Sequence, residues 1–489
     1  MTRISCFSPV KSAIKSEDNK NKIILYIRNQ YLPREKNSMV KEIVRKGIVI
    51  GIVIFLVSIT APIQPKSIIS ASSPQEQAQE RSVADNRFDK LIESLMSLAH
   101  MSALSAAIVI DDELAWANGY GLYDREYNKE ATEETIYLVA SISKTITATA
   151  IMQLYEQGYF DLDDDVNDYL PFTLKNPNHP DEKITFRMLL AHQSSLSTDL
   201  PTFFTICYPG ELELSGYPHP FFEELLTQGG IHYRPQVWND YAPGGDMYYA
   251  NIGFGLLGYL VEIISEQSFE DYCREHIFEP LDMDDTSFKL TCLNASNVAV
   301  PYAYLQREYY PYIHYNIINY PAGGLRTSVV DLSHFLIAIM NDGVYETTQI
   351  LSPESVEEMH TIQYQSNTYN FQYGLGFQIW KTLSGTTLGH TGGLYGVATK
   401  MVFRESNDIG IIMFTNKAIE NQIDRFAFSM IELLLFLKEN GFRTSRIGYR
   451  EIFEIMQSNK FLSFANKFLS FDYNINNQRI ESLIALRDG

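Results

Sequence analysis

The sequence contains little that could bind a metal or build a disulfide framework. Its 489 residues include only four cysteines, Cys6, Cys207, Cys273 and Cys292, and none of them forms a C-x-x-C pair. No His, Cys or carboxylate cluster has metal-ligand spacing, and no Gly-rich loop follows a strand as phosphate binding would require. The sequence therefore predicts no metal and no cofactor. We expect Cys273, in an amphipathic stretch, to be a small buried apolar residue.

Basic residues are scarce in most of the chain. Residues 1–46 hold 11 of the 39 Lys and Arg residues but only 4 of the 59 Asp and Glu residues, which leaves the remainder with a net charge of −27. An acidic body of this kind argues against a nucleic-acid partner. With 45% apolar and 20% charged residues, the composition is that of a globular protein with a sizeable core.

Long apolar runs are also missing, apart from one. GIVIGIVIFLVSITA starts at Gly47 and follows Lys41, Arg45 and Lys46. A membrane-spanning helix usually needs ~20 apolar residues, so a run of roughly 15 is more typical of the apolar part of a signal peptide. We therefore predict that residues 47–63 direct export or remain as a membrane anchor. The basic residues 1–46 would stay in the cytoplasm, and the main body would be extracytoplasmic, either secreted or anchored.

The remaining chain divides into a linker, a main domain and an extension. Residues 64–84 form the linker, residues 85–440 the domain, and residues 441–489 a carboxy-terminal extension that contains a two-copy, seven-residue repeat. The domain begins with a predicted helix and a hairpin, Ser105–Ile110 and Glu113–Ala117 around Asp111-Asp112. Strands return only beyond Gly374. A sheet completed by distant parts of the chain, with a helical region inserted, predicts an α/β architecture in three layers.

One stretch in this domain has the layout that a nucleophilic serine needs. In YLVASISKTITATAIMQLYEQG, Ser141 and Lys144 lie one helical turn apart at the start of an apolar helix. Backbone N–H groups at a helix start can stabilise a developing negative charge. The S-x-x-K pattern alone is weak, because residues 12–15 fit it too, and a helix-capping serine beside a lysine is the structural alternative.

Two further motifs add to this pattern. Tyr249-Ala250-Asn251 is the only Y-x-N among the 31 tyrosines, and it precedes an apolar helix. His390-Thr391-Gly392-Gly393 precedes a predicted strand, Gly396–Phe403, so that its backbone could line a sheet edge facing the serine. A serine hydroxyl needs a neighbour to take its proton, and a desolvated lysine or a phenol beside a cation can do so.

With these three motifs the chain resembles the serine β-lactamase and penicillin-binding-protein superfamily, in particular the branch of class C β-lactamases, D-aminopeptidases and esterases. The resemblance covers about residues 85–440 and includes LLAHQSSL at 189–196 and PAGGLRTSVVDL at 321–332. It implies a β-lactamase/transpeptidase-like fold: a three-layer sandwich with a mainly antiparallel sheet flanked by helices, plus an inserted, mainly helical lobe.

The resemblance also implies a role for each motif residue. The catalytic residues would be Ser141, Lys144 and Tyr249, and the N–H groups of Ser141 and Gly393 would form the oxyanion hole. The substrate would be bound by Asn251, His390, Thr391 and Gly392, with support of Tyr249 as the alternative role of His390. His192 and Asn416 would be structural.

The expected function is an exported serine hydrolase that forms an acyl-enzyme on Ser141. Its substrate would be a small molecule or peptide containing an ester, an amide or a D-amino-acid peptide bond. The alternatives are a β-lactamase proper, or a catalytically silent penicillin-binding or sensor protein that uses the same cleft. His390 stands where β-lactamases usually have the lysine of K-T-G. Because a histidine of ordinary pKa ~6.5 is mostly neutral at pH 7 and charged in acid, we expect neutral substrates to be preferred, and carboxylates to bind better at acidic pH.

Overall fold

The computed structural model describes residues 88–197, 207–209, 218–364, 372–382, 385–404, 406 and 408–443. One compact unit contains Ile92–Phe436, and the described residues outside it belong to a second unit. The predicted basic segment, apolar segment and linker, and the chain beyond residue 443, lie outside the described residues. Within the described residues, no helix is both long enough and apolar enough to cross a membrane.

An eight-stranded antiparallel sheet forms the centre of the compact unit. Its order is β4-β5-β6-β7-β8-β1-β2-β3, so that its first and last strands in sequence, β1 and β8, are neighbours near the middle of the sheet. In chain order the strands are β1 Ala103–Ile110, β2 Glu113–Asp124, β3 Lys129–Glu130, β4 Gln372–Tyr373, β5 Gln378–Thr382, β6 Gly385–Leu394, β7 Val397–Arg404 and β8 Ile409–Thr415.

The predicted hairpin at the start of the domain is confirmed. β1 pairs with β2 around Asp111 and Asp112, whose φ angles of +49° and +64° are those of a tight hairpin turn. The late strands are also confirmed, with shifted ends. His390–Gly393 precedes the strand β7, as predicted, and is itself part of a strand, because residues 388–394 of β6 pair with β7.

The described part of the chain contains nine α-helices beside this sheet. They are α1 at residues 88–98, α2 Ser143–Glu156, α3 Phe186–Leu190, α4 Pro218–Leu226, α5 Asn251–Ser265, α6 Phe269–Cys273, α7 Val329–Met340, α8 Pro353–His360 and α9 Gln422–Arg443. α2 to α8 lie between β3 and β4 in sequence, which is the predicted helical insertion.

Alternating side chains of β7 show the three layers. Lys400 pairs with Glu432 of α9 at 2.7 Å, and Arg404 lies over the ring of Phe436. The intervening side chains point to the opposite face of the sheet, since successive residues of a strand alternate. On that opposite face Thr399 donates to the Val139 carbonyl at 2.7 Å. The sheet thus separates α9 from the helices that carry the predicted site, as the sequence predicted.

Short strand pairs hold the insertion together. They are Tyr137–Leu138 with Arg326–Thr327, Cys207–Pro209 with Tyr315–Ile317, Tyr302–Leu305 with Glu308–Pro311, and Val344–Tyr345 with Thr348–Gln349. The first pair fixes the chain just before Ser141. Cys273 of α6 is buried, as predicted. Asn416 and His192 are buried too.

Candidate active site

Ser141 lies in a single 3₁₀ turn, Ala140–Ile142, that leads directly into α2. The residue before it, Ala140, is fully buried and has a φ of +51°, a left-handed conformation that non-glycine residues seldom adopt. Such strain persists only where the surroundings enforce it, and it clusters at functional sites. α2 itself is rich in Ala, Ile and Met and is buried from Ser143 to Leu154. The serine is therefore held by a rigid core helix.

Lys144 follows one turn later on α2, and its side chain is fully buried. Its Nζ lies 3.1 Å from Ser141 Oγ, 2.7 Å from Asn251 Oδ1 at the start of α5, and 2.5 Å from the carbonyl oxygen of Ala322. The predicted residues Ser141, Lys144 and Asn251 thus come together. Burial holds the pKa of the Lys144 ammonium well below its usual value.

Counting hydrogen bonds shows what a neutral Lys144 can do. A neutral amine has two N–H donors and one lone pair, and two of its three neighbours, Asn251 Oδ1 and the Ala322 carbonyl, can only accept. Both N–H groups are then used, and the lone pair is left for the hydroxyl hydrogen of Ser141. This arrangement is suited to removing the serine proton.

Tyr249 lies on the other side of the lysine. Lys144 Nζ is 5.0 Å from the centre of the Tyr249 ring, close enough for a cation–π contact when the amine is protonated. The ring packs on His192 at a centroid distance of 4.4 Å. His192 Nδ1 in turn accepts from the N–H of Ala250, at 3.2 Å. His192 therefore holds the Y-x-N segment in place through its ring contact with Tyr249 and its hydrogen bond from Ala250.

The last two glycines of β6, Gly392 and Gly393, differ in their surroundings. A Cβ atom at Gly392 would lie 2.3 Å from the Val139 carbonyl oxygen and 2.1 Å from Thr399 Oγ1. Gly392 is therefore needed for the close approach of β6 to the chain before Ser141. A Cβ atom at Gly393 would meet nothing within 4 Å. β6 thus packs against Val139 and Ala140, just before Ser141, at Gly392 and faces open space at Gly393.

His390 is placed differently from the expectation that it binds substrate. Its ring is fully buried, with Nε2 2.8 Å from the hydroxyl of Tyr373 and Nδ1 2.7 Å from the carbonyl oxygen of Thr391. Burial, together with the nearby Lys144, lowers the pKa of His390 to about 3. The expectation that acidic pH would charge this histidine is therefore wrong.

Two residues near this strand were not predicted. Gln378 of β5 accepts through Oε1 from the N–H of Thr391 at 3.2 Å and from its hydroxyl at 3.1 Å. Tyr373 of β4 is fully buried and contacts His390. Neither residue lies in a motif, and one tyrosine among 31 carries no signal of its own. The Ala322 carbonyl could not be predicted either, because a backbone acceptor leaves no mark in the sequence.

Comparison with known proteins agrees with this geometry. A family model described as Beta-lactamase matches residues 88–434. The chain belongs to the beta-lactamase family. It is 28% identical over 256 residues to Protein flp of Staphylococcus aureus (strain N315), a match covering 52% of this chain and 48% of that protein. The chain therefore spans about half the length of the curated relatives that it matches.

Solved structures of the beta-lactamase family share the fold. The octameric penicillin-binding protein homologue from Pyrococcus abyssi superposes with a TM-score of 0.56 at 25% identity, covering 71% of this chain and 77% of that one. A D-amino acid amidase from Ochrobactrum anthropi SV3 gives a TM-score of 0.58 at 19% identity, covering 73% and 100%. The chain is thus a member of the serine hydrolase superfamily with the β-lactamase and penicillin-binding-protein fold.

Proposed function

We propose that this beta-lactamase-family protein is a serine hydrolase that works through an acyl-enzyme on Ser141. The observation that carries the proposal is the position of Lys144, whose lone pair is left for the Ser141 hydroxyl once its two N–H groups are used. The substrate would contain an ester, an amide or a D-amino-acid peptide bond. An amidase and a penicillin-binding homologue among the structures of the same fold are consistent with this range.

The proposed reaction proceeds in two halves. Lys144 Nζ takes the Ser141 proton while Oγ attacks the carbonyl carbon, and the negative charge that develops on the carbonyl oxygen is stabilised by the N–H groups of Ser141 and Gly393. The bond to the leaving group then breaks as Tyr249 donates its proton to the leaving oxygen or nitrogen, and the proton held by Lys144 passes to Tyr249. Water next attacks the acyl-enzyme and gives its proton to Lys144, which returns it to Ser141 Oγ as the acid is released.

We infer that the preferred substrates are neutral. The lysine that β-lactamases usually carry in K-T-G is replaced by His390, which is uncharged and faces Tyr373 in the interior. Arg326 pairs with Leu138 in the segment before Ser141, but it is buried and donates to the Gly324 and Tyr315 carbonyls. A substrate carboxylate would therefore lack the fixed positive charge that holds a β-lactam, which argues against a β-lactamase proper.

Labelling and a substrate panel test the proposal together. A fluorophosphonate probe followed by mass spectrometry should place the label on Ser141. The kcat/KM for a p-nitrophenyl ester or a D-alanyl amide should exceed that for a chromogenic cephalosporin at pH 7. No label on Ser141 and no turnover would instead favour the silent binding or sensor protein. Efficient cephalosporin turnover would contradict the preference for neutral substrates.

We also propose that the protein is exported, with residues 1–46 in the cytoplasm. The proposal rests on the basic flank and the single apolar run at 47–63. A reporter fused after residue 84 that works only outside the cytoplasm should be active, and its cytoplasmic counterpart inactive. The reverse pattern would refute export. If export is observed, fractionation of the membrane will distinguish an anchored form from a secreted one.

A further inference from the structure

β6 loses one of its two neighbours where it approaches the nucleophile. β5 pairs with β6 from Thr382↔Gly385 to Gln378↔Gly389 and then ends. β7 continues to pair with β6 as far as Leu394. In the described part of the chain, residues 390–394 therefore have a strand partner on one side only. The other side is a sheet edge whose N–H and C=O groups need other partners.

Side chains replace the missing strand at Thr391. Its N–H donates to Gln378 Oε1 at 3.2 Å, and its carbonyl oxygen accepts from His390 Nδ1 at 2.7 Å. In an antiparallel strand the backbone groups of residues i and i+2 point to the same side. The N–H of Gly393 therefore points to the same edge as that of Thr391. It is the next donor along that edge, and a glycine at this point leaves open space around it.

The hydrogen bond to the Thr391 carbonyl fixes the protonation of His390. Nδ1 must carry a hydrogen to donate to a carbonyl, so in the neutral ring Nε2 has only a lone pair. The hydroxyl of Tyr373 lies 2.8 Å from Nε2 and donates to it. By donating to Nε2, Tyr373 thus stabilises the one neutral tautomer of His390 that can hold the strand edge. Both groups are fully buried, so water does not compete for either nitrogen.

We propose that Tyr373 and His390 form a positioning pair for the oxyanion hole. Tyr373 holds His390 in its Nδ1–H tautomer, and His390 replaces the absent strand hydrogen bond at the Thr391 carbonyl. This keeps the backbone of β6 straight up to Gly393, so that its N–H points at the acyl oxygen. The inference rests on the proposed acyl-enzyme reaction, since negative charge develops at that oxygen only during acyl transfer. Neither residue of the pair touches the substrate.

Three variants isolate the pair. Tyr373→Phe removes only the hydroxyl. His390→Asn keeps an N–H close to the position of Nδ1 and has no tautomer to select, whereas His390→Leu has no donor at all. Tyr272→Phe serves as the matched control, because Tyr272 is also buried but belongs to α6. All variants are compared with the wild-type full chain by thermal unfolding, so that a fold defect is recognised.

The expected kinetic result is a loss in kcat without a rise in KM. Removing a whole oxyanion-hole donor costs ~10²–10³-fold in kcat, so a misdirected one should cost about 10-fold or more. Tyr373→Phe and His390→Leu should show this loss with the p-nitrophenyl ester, and a boronic acid inhibitor should bind more weakly by a similar factor. His390→Asn should keep most of the activity, and adding Tyr373→Phe to it should change little. A rise in KM at constant kcat, or an equal loss from Tyr373→Phe in the Asn background, would overturn the proposal.

A second measurement does not depend on turnover. ¹⁵N NMR of ring-labelled histidine should show His390 protonated at Nδ1 and not at Nε2 in the wild type, and a mixture of tautomers in Tyr373→Phe. A wild-type ring protonated at Nε2 would overturn the pair even if the enzyme is active. The expected tautomer in a protein that neither labels nor turns over would mean that the acyl-enzyme proposal has failed, and the oxyanion role of the pair with it.

Discussion

Ser141 and Ser143 are two residues apart, but their hydroxyls differ in burial and in hydrogen-bond partners. Ser141 Oγ lies 3.1 Å from Lys144 Nζ and is partly exposed. Ser143 Oγ is fully buried, donates to the Ala140 carbonyl at 2.6 Å and accepts from the N–H of Leu325 at 3.0 Å. Ser143 thereby ties the strained turn to the segment behind it. We therefore expect Ser141 to serve the proposed chemistry and Ser143 to serve stability.

The first prediction separates the two tasks. Ser141→Ala should abolish fluorophosphonate labelling and leave the free energy of unfolding nearly unchanged. Ser143→Ala should keep a labelled Ser141 but lower the free energy of unfolding by about 1–3 kcal/mol, because the buried N–H of Leu325 loses its acceptor. Mass spectrometry and urea titration measure both. A Ser141→Ala protein that still takes the label on another residue would disprove the nucleophile.

The second prediction concerns the proton path. Lys144→Met and Tyr249→Phe should each reduce turnover of the ester by orders of magnitude. The double variant should be little worse than the poorer single one, since groups that act on one proton behave as a unit. The test is a double-mutant cycle on kcat/KM. Losses that multiply in the double variant would show that Lys144 and Tyr249 act on separate steps.

The third prediction distinguishes Gly392 from Gly393 in β6. Gly392→Ala should destabilise the protein by about 1–3 kcal/mol and lower kcat, because its Cβ would lie 2.3 Å from the Val139 carbonyl oxygen. Gly393→Ala should fold like the wild type, since its Cβ meets nothing within 4 Å. It should discriminate more strongly against bulky acyl groups. Thermal unfolding and a series of p-nitrophenyl esters of increasing size test the pair, and equal melting temperatures would contradict it.

The fourth prediction concerns pH and stability. The pKa of His390 is lowered to about 3 in the folded protein, against ~6.5 in the unfolded chain. Above the unfolded value both states are neutral, so the free energy of unfolding does not depend on this ring. Below pH ~6.5 the unfolded state binds a proton on this ring that the folded state does not bind. Stability should therefore fall as pH drops from about 6.5 to about 3, by up to ~1.4 kcal/mol per pH unit.

Replacing the histidine isolates this contribution. His390→Asn does not titrate, so its free energy of unfolding should fall less steeply than that of the wild type between pH 7 and pH 4.5. His192, whose pKa is lowered mainly by burial and further by Lys144 and His390, is present in both proteins. Urea titrations at several pH values give the two slopes. Parallel curves would show that folding does not lower the pKa of His390.

Much of the fold could be predicted because it depends on local patterns. The β1–β2 hairpin has a clear turn pair at Asp111 and Asp112, and α2 has an apolar composition over its whole length. The sequence did not indicate that His390–Gly393 is itself part of a strand, because its two glycines are more typical of a turn. Pairing with β7 overrides that preference, as tertiary contacts often do in sheets.

The candidate site could be predicted only as far as its motifs reach. Ser141, Lys144 and Asn251 meet as expected, because two of them share a helix turn and the third begins α5. The environment of His390 could not be predicted, since it depends on Tyr373, which is 17 residues away and lies on another strand. A pKa is set by burial and neighbours, and the identity of a residue gives only its starting value.

The pairing of β1 with β8 determines how late in synthesis the central sheet can be completed. Leu104 lies opposite Thr415, so the centre of the sheet closes only after the ribosome has made nearly the whole domain. Ser141, Lys144 and Tyr249 are synthesised long before β6, which completes the site. Contacts between such distant residues form slowly. We therefore expect a growing or truncated chain to contain the nucleophile and its base but no hydrolytic activity, which appears only once the last strands have joined the sheet.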